Sequence, residues 1–322
     1  MTIHRLRECV QSDFDSLNNL IFDMIKDGPP FVTDIVNHII CGGGKQLRPL
    51  VIFLSSRACG YGETERVLLA TMVEFLHTAT LLHDDVIDES KMRRGRETAN
   101  TIWGDKISIL VGDYLFTQYV RIMIDFKNNN VNQLMTDTAF QISFGELQQH
   151  DNRHKHGLTE DHYFEVIRAK TSKLFAASSA IASVLGNAEE QVKKGMYDYG
   201  LHLGTAFQLI DDALDYCGDS AVFGKNIGDD LAFGTPTLPL IYALKHGNAK
   251  QQEQIKYALE HGSLDHLQDI LQAIEETKAI EYTKKRAEAE VNNAISALCV
   301  IPDSEYKNAL IELARYAISR DH

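Results

Sequence analysis

Six aspartates in two matching triplets are the residues most able to do chemistry. Asp84, Asp85 and Asp88 close the stretch EFLHTATLLHDDVID, and Asp211, Asp212 and Asp215 lie in GTAFQLIDDALDY. Both triplets follow the spacing i, i+1, i+4. On a helix, at about 100° per residue, the first and last acids of each triplet stand one above the other on one face. Apolar residues crowd both, and massed carboxylates beside a core are costly unless a cation neutralises them. Hard divalent ions meet that need, Mg²⁺ above all, because it takes one or two carboxylates and keeps room for phosphate oxygens. One such triplet alone could as well be an acidic helix end facing water. Two, each embedded in an apolar helix, favour the metal reading.

Cations are placed to match. Gly42-Gly43-Gly44 precede Lys45 and Arg48, and Pro49 suits the first turn of the helix that follows. Free backbone N–H groups and two cations near a helix start suit a phosphate, although a glycine turn can be only a turn. Arg93 and Arg94 follow the first acid triplet by five residues. They are either counter-charges on a surface or guanidinium clamps on phosphate. Lys170-Thr171 sits inside a helical stretch, where a threonine can bond its own preceding carbonyl and bend the axis. His150, His154 and His156 lie among polar residues, which reads as a solvated loop and not a zinc site.

The elements that must hold these residues are helices. The six prolines fall at 29, 30, 49, 236, 239 and 302, leaving a long proline-free middle whose apolar residues recur at three- and four-residue spacing. That pattern predicts an all-α bundle of one domain over 1–322. Helices are expected over 3–26, 31–41, 64–89, 107–126, 131–149, 162–185 and 191–217, with a polar basic loop at 91–100 and amphipathic structural helices after the prolines at 236 and 239. With 44% apolar and 24% charged residues the chain is globular, and its net charge of −13 without a basic block argues against nucleic acid as a partner. Five scattered cysteines without CxxC spacing read as reduced residues of a cytoplasmic protein. No uninterrupted apolar run approaches the ~20 residues of a membrane span, so membrane contact is expected to be peripheral at most.

With DDVIDESKMRRG and FQLIDDALDY in this order, the chain resembles the trans-polyprenyl diphosphate synthases, and among them the bacterial octaprenyl-forming group. The likeness runs from GGGKQLRP through LVGDYLF, AKTSKLF and GKNIGDDL to TPTLPL. The resemblance implies a helical bundle around a deep central cavity, a homodimer, and about three Mg²⁺ ions when diphosphate is bound. It implies head-to-tail joining of isopentenyl diphosphate to an allylic diphosphate, with farnesyl diphosphate as primer, release of pyrophosphate, and a role in making quinone side chains. Asp84, Asp88 and Asp211 would ligate the ions, supported by Asp85, Asp212 and Asp215. Arg93, Lys170 and Lys225 would hold the allylic diphosphate, and Lys45, Arg48, His77 and Arg94 the isopentenyl one. Thr171 and Gln208 would face the reacting carbons. Two rival readings are a non-catalytic subunit of a heteromeric synthase, against which all six acids stand, and a metal phosphohydrolase built on the His83-Asp84 pair, which lacks further histidines at helical spacing.

The resemblance also sets an expectation for product length. One helical turn, ~5.4 Å, is close to one isoprene unit, so a bulky residue one turn before Asp84 would floor the cavity. Ala79 and Thr80 are small, which predicts a long product of about C40, with a deeper floor around Met123 or Phe144. Two positions depart from the family pattern: Gln46 where a second cation is usual, and Thr235 where lysine is common before PTLP. Thr235→Lys is therefore expected to lower the KM for the allylic substrate, measured by steady-state kinetics. An unchanged or higher value would put this position away from the diphosphate.

Overall fold

Apolar residues at helical spacing become helices almost everywhere in the computed structural model, which describes residues 3–40, 42, 44–60, 65–217 and 228–319. The first expected helix is broken into α1 (Ile3–Glu8) and α2 (Gln11–Ile25). Next come α3 (Pro30–Ile40) and α4 (Leu47–Ala58), with Pro49 in the first turn of α4 as its fixed φ requires. The helix carrying the first acids, α5 (Glu65–Ile87), stops just before Asp88. The expected basic loop is instead a small hairpin, β1 (Met92–Arg93) antiparallel to β2 (Arg96–Glu97). Arg94 and Gly95 between them both take positive φ, 54° and 73°, the backbone that a two-residue hairpin turn demands.

Beyond it lie α6 (Ala99–Trp103), α7 (Asp105–Phe126) and α8 (Asn129–Asn152). Asn128 caps α8 by accepting from the N–H groups of Asn130 and Val131. The stretch expected as one helix over 162–185 is three pieces: α9 (Glu160–Ile167), a π-helical turn over Arg168–Ser172, and α10 (Lys173–Leu185). The second acid triplet ends α11 (Glu190–Cys217). The remainder is α12 (Asp229–Ala232), α13 (Leu238–His246), α14 (Ala249–His261), α15 (Leu267–Glu276), α16 (Ala279–Ala297) and α17 (Glu305–Ile318). A main core runs from Leu6 to Ala317 and a smaller one joins Tyr216 to α12–α15.

Among the described residues α7 alone is long and apolar enough to cross a membrane. The sequence expectation of no such run holds only for an unbroken one, since Asp113 and Arg121 interrupt it. Its apolarity serves two sides. Val111, Leu115, Tyr119 and Ile122 are buried, with α7 packed along α5, while Ile109, Leu110, Phe116 and Ile124 face outward. On α8, Phe140, Phe144 and Leu147 are exposed as well.

The π turn is wedged between α8 and α11. A Cβ on Gly145 would lie 2.7 Å from the backbone N of Lys170, and one on Gly204 would lie 2.7 Å from Cα of Ser172. Two glycines thus let three backbones meet. Gly145→Ala is expected to cost ~1–3 kcal/mol by overpacking and to displace Lys170, lowering turnover. Gly157→Ala, where nothing lies within 4 Å, should do neither; chemical denaturation and rate measurement on both compare them.

Candidate active site

The ends of α5 and α11, the start of α4, the hairpin, α8 and the π turn enclose one cavity of about 1000 Å³. Asp84, Asp88, Asp211, Asp212 and Asp215 all border it, so the two acid triplets face one space. Asp85 does not. It is buried beneath the site, where Arg93 donates to its Oδ1 through Nε and Nη2, both at 2.8 Å. Of the six expected metal ligands it is the exception: at i+1 it falls on the adjoining helix face, and its role is to hold the hairpin.

The π turn spans the space between the triplets. Lys170 Nζ lies 3.8 Å from Asp84 Oδ2 and donates to Glu146 Oε1 (2.8 Å) and Gln149 Oε1 (2.6 Å). The next residue, Thr171, donates to Gln208 Oε1 at 2.9 Å, and Gln208 Nε2 donates to Asp212 Oδ1 at 2.8 Å. Tyr163 OH donates to the other oxygen of Asp212 at 2.5 Å. Thr171 therefore does not bend its helix by bonding an earlier carbonyl; the wider π turn makes the distortion, which frees its hydroxyl for Gln208.

Lys45, Arg48, Arg93 and Arg94 border the cavity. The glycine turn is more than a turn, because a Cβ on Gly44 would lie 2.4 Å from Arg94 Nη1, so glycine admits that guanidinium. Burial lowers Arg48 to about 10, leaving it charged, with its Cζ 4.6 Å from the centroid of the Phe175 ring. Arg48 Nη1 lies 2.8 Å from His77 Nε2. Arginine only donates, so Nε2 accepts and the proton of His77 is on Nδ1. Burial first, then Arg48, Arg94 and Arg93, holds His77 well below its usual pKa, as a neutral donor. Gln46, in its left-handed conformation, accepts from Arg7 at 3.1 Å, so a guanidinium from α1 comes to the place where the family pattern has a cation.

Several expectations fail. Ala79 is buried in the main core and Met123 packs against it; neither borders the cavity, whereas Thr80 does. Phe144 is 46% exposed and stacks on Phe140 at 6.2 Å, outside the cavity, because α8 carries apolar residues on both faces and period alone does not say which turns inward. Lys225 lies outside the described residues. His154 is exposed, as a solvated loop has it, and its Nδ1 also sits 3.0 Å from the Leu259 carbonyl, with its ring against Gly234. His83 borders the cavity, but its Nε2 faces α7 at 3.3 Å from the Ile109 carbonyl, away from a metal role beside Asp84.

Sequence reasoning missed Glu74, Glu146, Gln149, Arg153 and Tyr163, all of which border the cavity. Glu74 had a faint signal, an acid inside an apolar helix. Burial raises its pKa against the pull of Arg48, Arg94 and Arg7.

The acids fit divalent cations. Burial is the largest cause that lifts Asp84 to about 7, opposed by Lys170, and Asp212 to about 8, reinforced by Asp230. Such carboxylates are short of positive charge, even with Lys170 3.8 Å from Asp84. Among the described residues no three His, Cys, Asp or Glu side chains converge on one point, so an ion here needs further oxygens, as Mg²⁺ takes from phosphates.

The model of the polyprenyl synthetase family matches residues 29–277. The chain belongs to that family. It is 41% identical to the octaprenyl diphosphate synthase of Escherichia coli (strain K12), over 100% of both chains. Its fold is similar to that of a polyprenyl synthase from Caulobacter crescentus CB15, solved with calcium and isoprenyl diphosphate (TM-score 0.95, 36% identity, 100% and 98% of the two chains). It is also similar to a decaprenyl diphosphate synthase from Rhodobacter capsulatus (TM-score 0.93, 37% identity, 100% of both). Within the polyprenyl synthetases this chain is an enzyme, a long-chain trans-prenyltransferase, and the expected all-α isoprenoid synthase fold is the one found.

Asp84 and Asp212 hold their protons to higher pH in the fold than in the unfolded chain. Their stabilising share is therefore full below the ordinary carboxylate value of about 4 and is lost as pH rises through about 7 and about 8. In chelator the melting temperature should fall from about pH 5 to about pH 8.5, and stabilisation by added Mg²⁺ should grow over the same range. Calorimetry with and without Mg²⁺ measures both; a Mg²⁺ effect independent of pH would separate these carboxylates from the ions.

Proposed function

We propose that this prenyltransferase joins isopentenyl diphosphate head to tail to an allylic diphosphate, with farnesyl diphosphate as primer, and extends it to about C40 for quinone side chains. What carries the reading is one cavity bordered by acids of both triplets, by Lys45, Arg48, Arg93, Arg94 and Lys170, and by an apolar wall of Leu81, Ile142, Val166 and Leu174. Asp84, Asp88 and Asp211, with Asp212 and Asp215 behind them, are suited to hold Mg²⁺, which when bound supplies Lewis-acid stabilisation of charge on the departing pyrophosphate. Lys170 and Arg93 hold the allylic diphosphate, and Lys225 would join them. Lys45, Arg48, Arg94 and neutral His77 hold the isopentenyl diphosphate. As the allylic C–O bond breaks, positive charge grows on carbon, and the Thr171 and Gln208 dipoles stabilise it without acting as nucleophiles. The released pyrophosphate is the base for the final proton.

Two further features belong to this reading. The outward apolar residues of α7 and α8 support a homodimer, because exposed apolar surface marks association sites. Unpaired Cys9, Cys59, Cys217 and Cys299 support a reducing, cytoplasmic location.

The test is chromatography of the products formed from isopentenyl and farnesyl diphosphates with Mg²⁺. New long-chain products support the reading, and phosphate release without a new C–C bond would overturn it. In the same assay Thr80→Phe, which places an aromatic ring one turn below Asp84 on the cavity wall, should shift products toward shorter chains. An unchanged distribution would put the floor elsewhere.

A further inference from the structure

We propose that Arg153, the residue that ends α8, is a further diphosphate-binding residue of this site, and that its present pairing with Asp88 is exchanged for phosphate oxygens when substrate binds. The inference rests on the prenyl-transfer reading above and extends it to a residue outside the motifs.

Arg153 borders the same cavity as the acids, with its side chain 15% exposed. Its Nη2 donates to Oδ1 of Asp88, a carboxylate 65 positions earlier in the chain and 20% exposed. The rest of the guanidinium is under-used. Nε is buried and has no hydrogen-bond partner. Buried donors are almost always matched, so an unmatched one beside a cavity points to an acceptor that enters it. A guanidinium offers five N–H groups in a planar fork, and the oxygens of a diphosphate are acceptors in the matching geometry.

The segment next to it is held in place. The N–H of His154 donates to the Gly234 carbonyl at 2.9 Å, and the His154 ring lies 3.0 Å from the Leu259 carbonyl. Gly234, at φ 64°, admits that ring, since a Cβ there would lie 2.5 Å from Nδ1. Arg153 Cζ stands 5.9 Å from the centroid of Phe233. The segment bearing Arg153 is thus fastened to 233–235, where Thr235 borders the cavity without a charge.

The neighbouring cations show the same arrangement. Lys170 is held by Glu146 and Gln149, and Arg93 by Asp85. Asp88 is among the acids assigned to divalent cations. A diphosphate that arrives with its cations offers Asp88 a new partner and offers Arg153 acceptors, so one charge pair is replaced by two.

The experiment is calorimetric titration of the full chain with inorganic pyrophosphate, with and without Mg²⁺, for wild type, Arg153→Ala and Arg153→Lys, alongside KM for each substrate. Arg153→Ala should weaken pyrophosphate binding at least tenfold with Mg²⁺, and less without it, and raise the allylic KM while leaving the isopentenyl KM within twofold. Arg153→Lys, which keeps the charge but not the fork, should fall between. Arg153→Ala/Thr235→Lys should regain part of the lost affinity. Wild-type pyrophosphate affinity in Arg153→Ala, or a loss confined to Mg²⁺ binding measured without pyrophosphate, would overturn the proposal, since the arginine would then only position Asp88. If Arg153→Ala does not fold, Arg153→Lys and Arg153→Gln decide on the same readings. Failure of the prenyl-transfer reading is seen separately, as wild type making no elongated product.

Discussion

Everything in this site depends on the close approach of three backbones at the π turn. Gly145 on one side and Gly204 on the other leave room for a wider coil, and the wider coil turns two consecutive side chains in different directions. Lys170 goes to the first acid helix and Thr171, through Gln208, to the second. A regular α-helix would also separate consecutive residues, but it would leave the Thr171 hydroxyl an earlier carbonyl to bond instead of Gln208. The irregularity fastens together two acid clusters more than a hundred residues apart in sequence.

The same geometry explains why so many charges tolerate burial. Most of the buried charges at the site have a partner held by another element: Asp85 has Arg93, Asp88 has Arg153, and Lys170 has Glu146. Asp84 and Asp212 are the under-neutralised members, and their raised pKa values express it. Removing one partner from such a set strands the other, which costs far more than the pair contributes. Matched charge thus ties several elements together, and the unmatched charge is concentrated where a cation would be received.

Legibility in the sequence followed locality. The acid triplets, Lys45, Arg48 and Arg94 were readable because a spacing and a glycine turn lie within one short stretch. The helices were readable from their apolar period, apart from breaks at Cys9-Val10 and at Arg168. The π turn was hidden because its cause lies in glycines 23 and 32 residues from it in chain order, not in RAKTS itself. The hairpin was hidden because Asp85 and Asn100 secure it from outside. Phe144 was misplaced because a helix apolar on both faces does not reveal which side is inner. Arg153 sat unremarked among histidines, and no local pattern distinguishes an arginine aimed inward from one in water.

Charge around the cavity falls into two groups. Arg48 and Arg94 stand by Glu74, while Asp84, Asp88, Asp211, Asp215 and Asp230 outnumber Arg93, Arg153 and Lys170, the cations set among them. On the reading proposed, two ligands with the same head group must find different berths. A bare pyrophosphoryl group is repelled by the aspartates and welcomed by the arginines beside Glu74; one already wrapped in metal has the opposite preference. Chelation, rather than hydrocarbon shape, would then sort donor from acceptor before either tail is felt.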